Sequence, residues 1–308
     1  MVHQFRPLTQ RDGDILQAVY CYQYLTVQQI TRLFFSVHSQ RSQNHAGQYL
    51  KRLAEAQWLV RFPLPATQKG NRAYVYTLAY KGVKYLHTLG FDVSLSYRQA
   101  KPAPSYQHMQ HTLCLNDVLI AAALLTRRIP SVVLADMQHE WMLKQKPLHV
   151  PSPDTPGENR KPTRWQVTSV IPDAWLDFRL SLNGITYQTA VWLELDRGSE
   201  EQKQFRRKVR GLYHASLSET YRQEFGAQNI TIAFATTAGE KRREQLRQWT
   251  KQELSLLQTI ADADLLLFTS LPPTDDLDPE WLFLSPVWLT PLTNTPVPLL
   301  DLSEPETS

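Results

Sequence analysis

The sequence contains only two cysteines, Cys21 and Cys114, among 308 residues. Two cysteines make no disulfide framework, and both fall in apolar helical patterns typical of buried thiols, so we expect a reducing compartment. No apolar run approaches the roughly 18–20 residues of a membrane span. The first residues, interrupted by His3, Gln4 and Arg6, lack the apolar segment of a signal peptide. The sequence therefore predicts a cytoplasmic protein without membrane association.

Acidic residues are scarce in the first third of the chain. Residues 1–105 carry 13 Lys and Arg against 4 Asp and Glu, a net charge of +9, whereas the remainder carries 20 against 25, a net charge of −5. From Pro272 onward there are seven acidic residues and no Lys or Arg. Because a strongly basic region favours polyanionic partners, double-stranded DNA is the first partner to expect for the N-terminal region.

The hydrophobic pattern of the N-terminal region predicts three helices followed by two strands and a fourth helix. The predicted bounds are helices at 8–23, 27–36 and 39–57, strands at 58–65 and 73–79, and a last helix at 80–90. This order is typical of a winged helix-turn-helix domain, here residues 1–90, whose third helix enters the DNA major groove while the wing approaches phosphate. Two alternatives remain open: a winged helix that contacts protein, and a basic face that is merely solvated.

The outward face of the third helix carries side chains suited to DNA. Asn and Gln side chains pair well with adenine, Arg pairs with guanine, and basic side chains at a wing tip add salt-sensitive affinity for phosphate. The predicted DNA-binding residues are Arg41, Ser42, Asn44, His45, Gln48, Lys51 and Arg52 on the helix, with Lys69 and Arg72 at the wing tip. A palindromic target would imply a homodimer, although no heptad pattern indicates one.

A Ser- and Pro-containing stretch, residues 91–105, has the composition of a linker. The second predicted domain, residues 106–271, begins with a helix at 106–128, a strand at 131–144 and a polar, Pro-rich loop at 145–165. After a hairpin come a helix at 199–225, a strand at 229–236, a helix at 240–260 and a strand at 264–270. Residues 272–308 form an acidic C-terminal segment whose aromatic side chains are expected to dock on the domain.

Residues 170–198 have the pattern of a β-hairpin, since apolar and polar side chains alternate on both sides of Asn183-Gly184. This dipeptide is the strongest short hairpin signal, because a type I′ turn needs a positive φ at both central residues. A two-residue turn at this point places Asp173 opposite Glu194 and Trp175 opposite Trp192.

Directly opposed side chains of a hairpin have Cβ atoms about 4.5–5.5 Å apart, so the carboxylates of Asp173 and Glu194 would repel each other. One interpretation is that both face solvent and the repulsion is tolerated. The other is that a divalent cation such as Mg²⁺ binds between them, because oxygen ligands from one or two carboxylates suit this ion.

The element order from Tyr106 onward, with Pro172-Asp173 on one strand and Glu194-Leu195-Asp196 on the next, resembles the core of PD-(D/E)xK nucleases. This resemblance implies a restriction-endonuclease-like domain in which Asp173 and Glu194 hold Mg²⁺, with Asp196 and Glu140 as further metal ligands. Asp196 stands where this pattern expects its lysine. Lys208 on the following helix matches the displaced lysine of some members, so the implied catalytic set is Asp173, Glu194 and Lys208.

The chain as a whole resembles the replication-relaxation family of plasmid and mobile-element proteins, over about residues 8–240. The resemblance is carried by LTQRDGDIL, YLKRLAEAQWLVR followed by AYVYTLAYKGVKYL, HTLCLNDV, and DAWLDFRL followed by WLELDRGSEEQKQFRRKVRGLY. It implies a bacterial DNA-binding protein that acts in replication, transfer or maintenance of its element, together with other proteins of that element.

The expected fold class is therefore α/β (α+β), with an N-terminal winged helix-turn-helix followed by a PD-(D/E)xK restriction-endonuclease-like domain. Three functions remain open. In the first, the chain is a DNA-binding protein whose nuclease-like domain is degenerate and needs no cofactor. In the second, that domain is an active Mg²⁺-dependent DNA nickase or endonuclease. In the third, the chain is a transcriptional regulator with a partner-binding C-terminal domain. Convergence of Asp173, Glu194 and Lys208 would favour the nickase.

Overall fold

The computed structural model describes residues 8–35, 39–64, 73–93, 105–153, 165–274 and 276–303. The chain divides into two compact units, Met1–Ile120 and Ala121–Ser308. This division falls within the long helix that was expected to open the second domain. Most of the predicted linker at 91–105 lies outside the described residues.

The first unit is built from helices and a small sheet. In chain order its elements are α1 (Gln10–Tyr22), β1 (Leu25–Thr26), α2 (Val27–Phe34), α3 (Gln40–Glu55), β2 (Leu59–Pro63), β3 (Tyr74–Leu78), α4 (Tyr80–Thr88) and the first part of α5 (Tyr106–Arg128). The helices begin where the sequence predicts, because Thr9 and Thr26 form capping boxes and the Ser39 hydroxyl accepts a hydrogen bond from the Ser42 N–H. The three strands pair antiparallel in the order β1-β3-β2.

Buried polar side chains fix the first part of α5 to the rest of the first unit. The Asp117 carboxylate accepts a hydrogen bond from the Gln29 amide at 3.0 Å and forms an ion pair with Arg32 at 3.2 Å. The Asn116 amide donates to the carbonyls of Tyr22 and Tyr24. These contacts explain why this part of the helix belongs to the N-terminal unit.

Within the described residues, α5 is the one helix long and apolar enough to cross a membrane by length and composition, with a mean hydropathy of 1.2 over 18 residues. However, 61% of that window is buried inside the protein, as expected for a helix of the protein core.

The second unit contains a five-stranded mixed sheet with the strand order β10-β9-β8-β7-β4 and a separate antiparallel pair, β5-β6. After α5 its elements are β4 (Val132–His139), α6 (Glu140–Leu143), β5 (Leu148–Pro153), β6 (Trp165–Val170), β7 (Ala174–Leu182), β8 (Ile185–Asp196), α7 (Gln202–Ser216), α8 (Glu219–Phe225), β9 (Thr231–Thr236), α9 (Glu240–Leu257), β10 (Leu266–Ser270) and α10 (Pro279–Phe283). The mixed α and β content agrees with the expected fold class at this coarse level.

Three element predictions for this unit were wrong in detail. The strand predicted at 131–144 ends at His139, whose ring accepts a hydrogen bond from the Trp141 N–H and begins α6. The predicted loop at 145–165 contains β5 and leads into β6, while residues 154–164 lie outside the described residues. The helix predicted at 199–225 is interrupted before Ser218, whose hydroxyl caps α8 instead.

The register of the β7–β8 hairpin is as predicted. Asn183 and Gly184 have φ values of 50° and 81°, and the pairing runs from Leu182 opposite Ile185 to Ala174 opposite Leu193. Trp175 therefore lies opposite Trp192, as the two-residue turn requires.

Both faces of this hairpin are buried at the end away from its turn. Trp175 and Trp192 share one hydrophobic core with Phe205 and Val209 of α7. On the other face, the ring of Phe178 lies 5.5 Å from that of Phe283 in the C-terminal segment. The interpretation that the hairpin's acidic pair faces solvent was therefore wrong, because helices cover that face of the sheet as well.

Candidate functional site

Two of the predicted carboxylates lie side by side where β7 begins and β8 approaches its end. Asp173 is 7% exposed and Glu194 is 3% exposed. The Leu195 N–H donates to Asp173 Oδ2 at 2.7 Å, and the Glu140 N–H donates to the Asp173 carbonyl at 2.7 Å. A carboxylate oxygen of Glu140 lies within 4.8 Å of one of Asp173. The structure thus brings Asp173, Glu194 and Glu140 to the same end of the sheet.

Lys208 reaches this site from α7. Its Nζ lies 2.9 Å from Glu194 Oε2 and 3.2 Å from Glu200 Oε2. Lys208 and Glu194 lie on different secondary-structure elements. They come together because α7 packs on the sheet and Lys208 lies at the margin of the buried face of α7. The residues of the predicted catalytic set therefore converge.

Burial raises the pKa of the Glu194 carboxyl, and the neighbouring charge of Asp173 raises it further, while Lys208 opposes both effects. Burial alone lowers the pKa of Lys208, but the carboxylates of Glu194, Asp173 and Glu200 hold it above its usual value. Lys208 is consequently an ammonium ion at neutral pH, able to donate hydrogen bonds but not to accept a proton.

A pocket of about 230 Å³ opens beside this ion pair, between β6 and α7. Its lining includes Thr168, Ser169, Glu194, Glu200, Arg207 and Lys208. Glu194 Oε1 is buried and makes no hydrogen bond with the described residues. A buried carboxylate oxygen without a partner is costly, and a divalent cation bound there would satisfy it. The buried Oε1 of Glu194 is therefore available as a ligand for a cation such as Mg²⁺ or Mn²⁺, with the charge of Asp173 nearby.

The other predicted metal ligands are engaged by basic side chains. Glu140 forms an ion pair with Lys144, four residues along the chain. Asp196 accepts hydrogen bonds from Arg242 Nε and Nη2 at 3.0 and 2.9 Å, from the Thr236 hydroxyl and from the Gly198 N–H. Burial opposes the ionisation of Asp196, but these bonds prevail and hold its pKa below the usual value. The carboxylate of Asp196 is thus engaged by partners other than the Asp173–Glu194 pair.

Most of the predicted DNA-binding residues of α3 are exposed, namely Arg41, Asn44, His45, Gln48, Lys51 and Arg52. Arg52, however, forms an ion pair with the buried Asp12 of α1 and stacks on Tyr49. Ser42 is half-buried, with its hydroxyl 3.1 Å from that of Ser39. Lys69 and Arg72, predicted at the wing tip, lie outside the described residues.

Two residues of the site escaped the sequence analysis: Glu200, in the loop after β8, and Arg242, in the first turn of α9. Neither belongs to a pattern that marks a nuclease. Arg242 is separated from Asp196 by a helical segment and β9, so only the parallel pairing of β8 with β9 brings them together.

A family model described as replication-relaxation matches residues 16–231, which is more than half of the chain. This range includes α3, the β7–β8 hairpin and Lys208. No curated protein and no solved structure matches the chain.

Proposed function

The chain belongs to the replication-relaxation family, and from this premise we propose that it binds DNA and nicks it in a metal-dependent reaction. Family membership associates the chain with replication and relaxation of plasmids or other mobile elements. The observation that carries the proposal is the contact of Lys208 with Glu194, at 2.9 Å, in a buried site beside Asp173. Such a convergence of two carboxylates and an ammonium suits phosphodiester chemistry.

DNA binding by the first unit is proposed from its element order and its charge. Three helices precede the β2–β3 hairpin, β1 completes the sheet, and α3 exposes Arg41, Gln48 and Lys51 along one helix. This element order supports the proposal of a winged helix-turn-helix, in which α3 would enter the major groove. The net charge of +9 in residues 1–105 would add sequence-independent attraction to phosphate.

In the proposed reaction Asp173 and Glu194 would hold Mg²⁺ or Mn²⁺, with Glu140 as an additional ligand. A bound cation would supply Lewis-acid polarisation of the scissile phosphate and activation of a water as the nucleophile. Lys208, which stays protonated, donates to a phosphate oxygen and stabilises the negative charge that develops there. Arg207, exposed where it lines the pocket, is placed to contact phosphate as well.

DNA binding without cleavage is the second candidate, and a specific observation favours it. Glu194, Glu140 and Asp196 are each ion-paired, with Lys208, Lys144 and Arg242 respectively. A degenerate nuclease site would retain such pairs as structural contacts. In this candidate the second unit serves as a scaffold for other proteins of the element.

The test is relaxation of supercoiled plasmid by the purified protein, with Mg²⁺, with Mn²⁺ and with chelator. Nicked product that requires the cation supports the nickase. Tight, salt-sensitive DNA binding with no nicked or linear product under any of these conditions supports the second candidate.

Replacing Arg41 by glutamine is expected to weaken DNA binding, because Arg41 is exposed at the start of α3. Loss of one phosphate contact would reduce the slope of log K against log salt by about 0.9. Loss of a base contact would cost about 1–3 kcal/mol and relax the sequence preference. Fluorescence anisotropy across a salt series measures both, with Lys84→Gln on α4 as the charge-matched control. Equal affinity and slope for Arg41→Gln and wild type would contradict the assignment of α3.

A further inference from the structure

The position of Lys208 needs an explanation, because Lys208 does not follow Glu194 on the same strand. A lysine on β8 would be held by the strand backbone, whereas the long side chain of Lys208 comes from a neighbouring helix. We propose that Glu200 is a positioning residue that holds the Lys208 ammonium at the site. The structural part of this proposal stands alone, and its catalytic consequence rests on the proposed nicking activity.

Glu200 is the second carboxylate at the ammonium. Its Oε2 lies 3.2 Å from Lys208 Nζ, and its side chain is 13% exposed. An ammonium with a single partner can rotate about the bonds of its side chain, but two carboxylates on different segments restrict it to one location. Glu200 is also outside the predicted metal-ligand set, so it can keep Lys208 at the site when Glu194 binds a cation.

The loop that carries Glu200 is itself fixed by Arg242. Arg242 Nη2 donates to the Glu200 carbonyl at 2.7 Å and to Asp196 Oδ1 at 2.9 Å. A single guanidinium therefore joins the end of β8 to the residue that holds Lys208. Asp196 occupies the position where the nuclease pattern expects lysine. By anchoring Arg242 it thus contributes indirectly to the positioning of Lys208.

The backbone of this loop is restricted as well. Gly198 has a φ of 83°, and a Cβ added there would lie 2.8 Å from the Cβ of Ala238, which is closer than real Cβ contacts. The chain between Asp196 and Glu200 consequently passes close against the segment between β9 and α9. A restricted loop gives Glu200 a defined location from which to hold the lysine.

The ¹⁵N–¹H signal of the Lys208 ammonium tests this positioning directly, because such signals are observed when ion pairs slow exchange with water. The full chain is labelled with ¹⁵N, and Lys208→Arg identifies the signal by its disappearance. We expect the signal in wild type and in the matched control Glu201→Gln, whose side chain is exposed. In Glu200→Gln, which has nearly the same shape, we expect the signal to be lost while the circular dichroism spectrum is unchanged.

In the plasmid assay Glu200→Gln should lower kcat about tenfold or more without changing DNA affinity, since a displaced charge stabilises the transition state less well. Retention of the Lys208 signal in folded Glu200→Gln would overturn the proposal. If wild type does not nick DNA, the proposed function fails, but the signal still decides whether Glu200 positions Lys208. The two failures are therefore distinguishable.

Discussion

Replacing Glu194 by alanine is expected to reduce metal-dependent plasmid nicking by at least about 100-fold, since a metal ligand contributes several kcal/mol to the transition state. Glu194 is buried, contacts Lys208 and has one oxygen without a partner among the described residues. Its removal takes away both a proposed metal ligand and one of the two carboxylates in contact with Lys208. Binding of DNA by the first unit should be unchanged. Densitometry of supercoiled and nicked plasmid over time measures the effect.

The control for this variant is Glu201→Ala, which removes the same charge from an exposed position seven residues further along the chain. It should nick at the wild-type rate. Circular dichroism and a melting curve establish that Glu194→Ala is folded. If the folded variant nicks as fast as wild type, Glu194 is not part of a catalytic site, and the proposed mechanism is wrong.

Replacing Arg242 by methionine is expected to lower the free energy of unfolding by about 3–5 kcal/mol, because it leaves a buried carboxylate without its counter-ion. The side chain of Asp196 is 4% exposed and that of Arg242 is 10% exposed. Methionine has a similar length but donates no hydrogen bond, so Asp196 would keep only Thr236 and Gly198 as partners. Chemical denaturation monitored by circular dichroism gives the difference in the free energy of unfolding between wild type and Arg242→Met. The control is Lys241→Met, which alters an exposed residue next to Arg242 and should change the free energy of unfolding little.

The difference in the free energy of unfolding between wild type and Arg242→Met depends on pH with a definite sign. The pKa of Asp196 is lower in the folded protein than its usual value. Its contribution to stability is therefore fully present above the unfolded pKa of about 4 and is lost as the pH falls through the folded value. Wild type and Arg242→Met should become more similar in stability in strong acid. A difference that is small at neutral pH, or that grows in acid, would contradict the structural role of this pair.

The local signals of the sequence were sufficient for the hairpin and for the starts of the first three helices. Asn183-Gly184 determined the register, because the turn type leaves two residues unpaired and the side-chain period is two. Thr9, Thr26 and Ser39 stand at three helix starts, where their hydroxyls satisfy N–H groups that have no partner within the helix. These interactions depend on residues a few positions apart, and such patterns are visible in a sequence.

Contacts between distant segments could not be predicted in the same way. The alternation around Trp175 and Trp192 suggested one polar face, yet packing of α7 and α8 buries that face with its carboxylates. The strands β5 and β6 were missed because the surrounding residues are rich in Pro and lack alternation. Glu200 and Arg242 acquire their roles only when the loop after β8 and the start of α9 meet. The sequence pointed to Asp173, Glu194 and Lys208 but not to Glu200, the second carboxylate in contact with the lysine.

Calorimetric titration of the purified protein with Mn²⁺ measures whether the Asp173–Glu194 pair binds a divalent cation, on which the proposed nicking mechanism depends. We expect wild type and Glu201→Ala to bind one ion each with similar affinity. Folded Glu194→Ala should bind at least about tenfold more weakly, since it lacks one of few oxygen ligands. Equal Mn²⁺ affinity of Glu194→Ala and wild type, or no Mn²⁺ binding by wild type, would contradict the metal site and with it the proposed nicking mechanism.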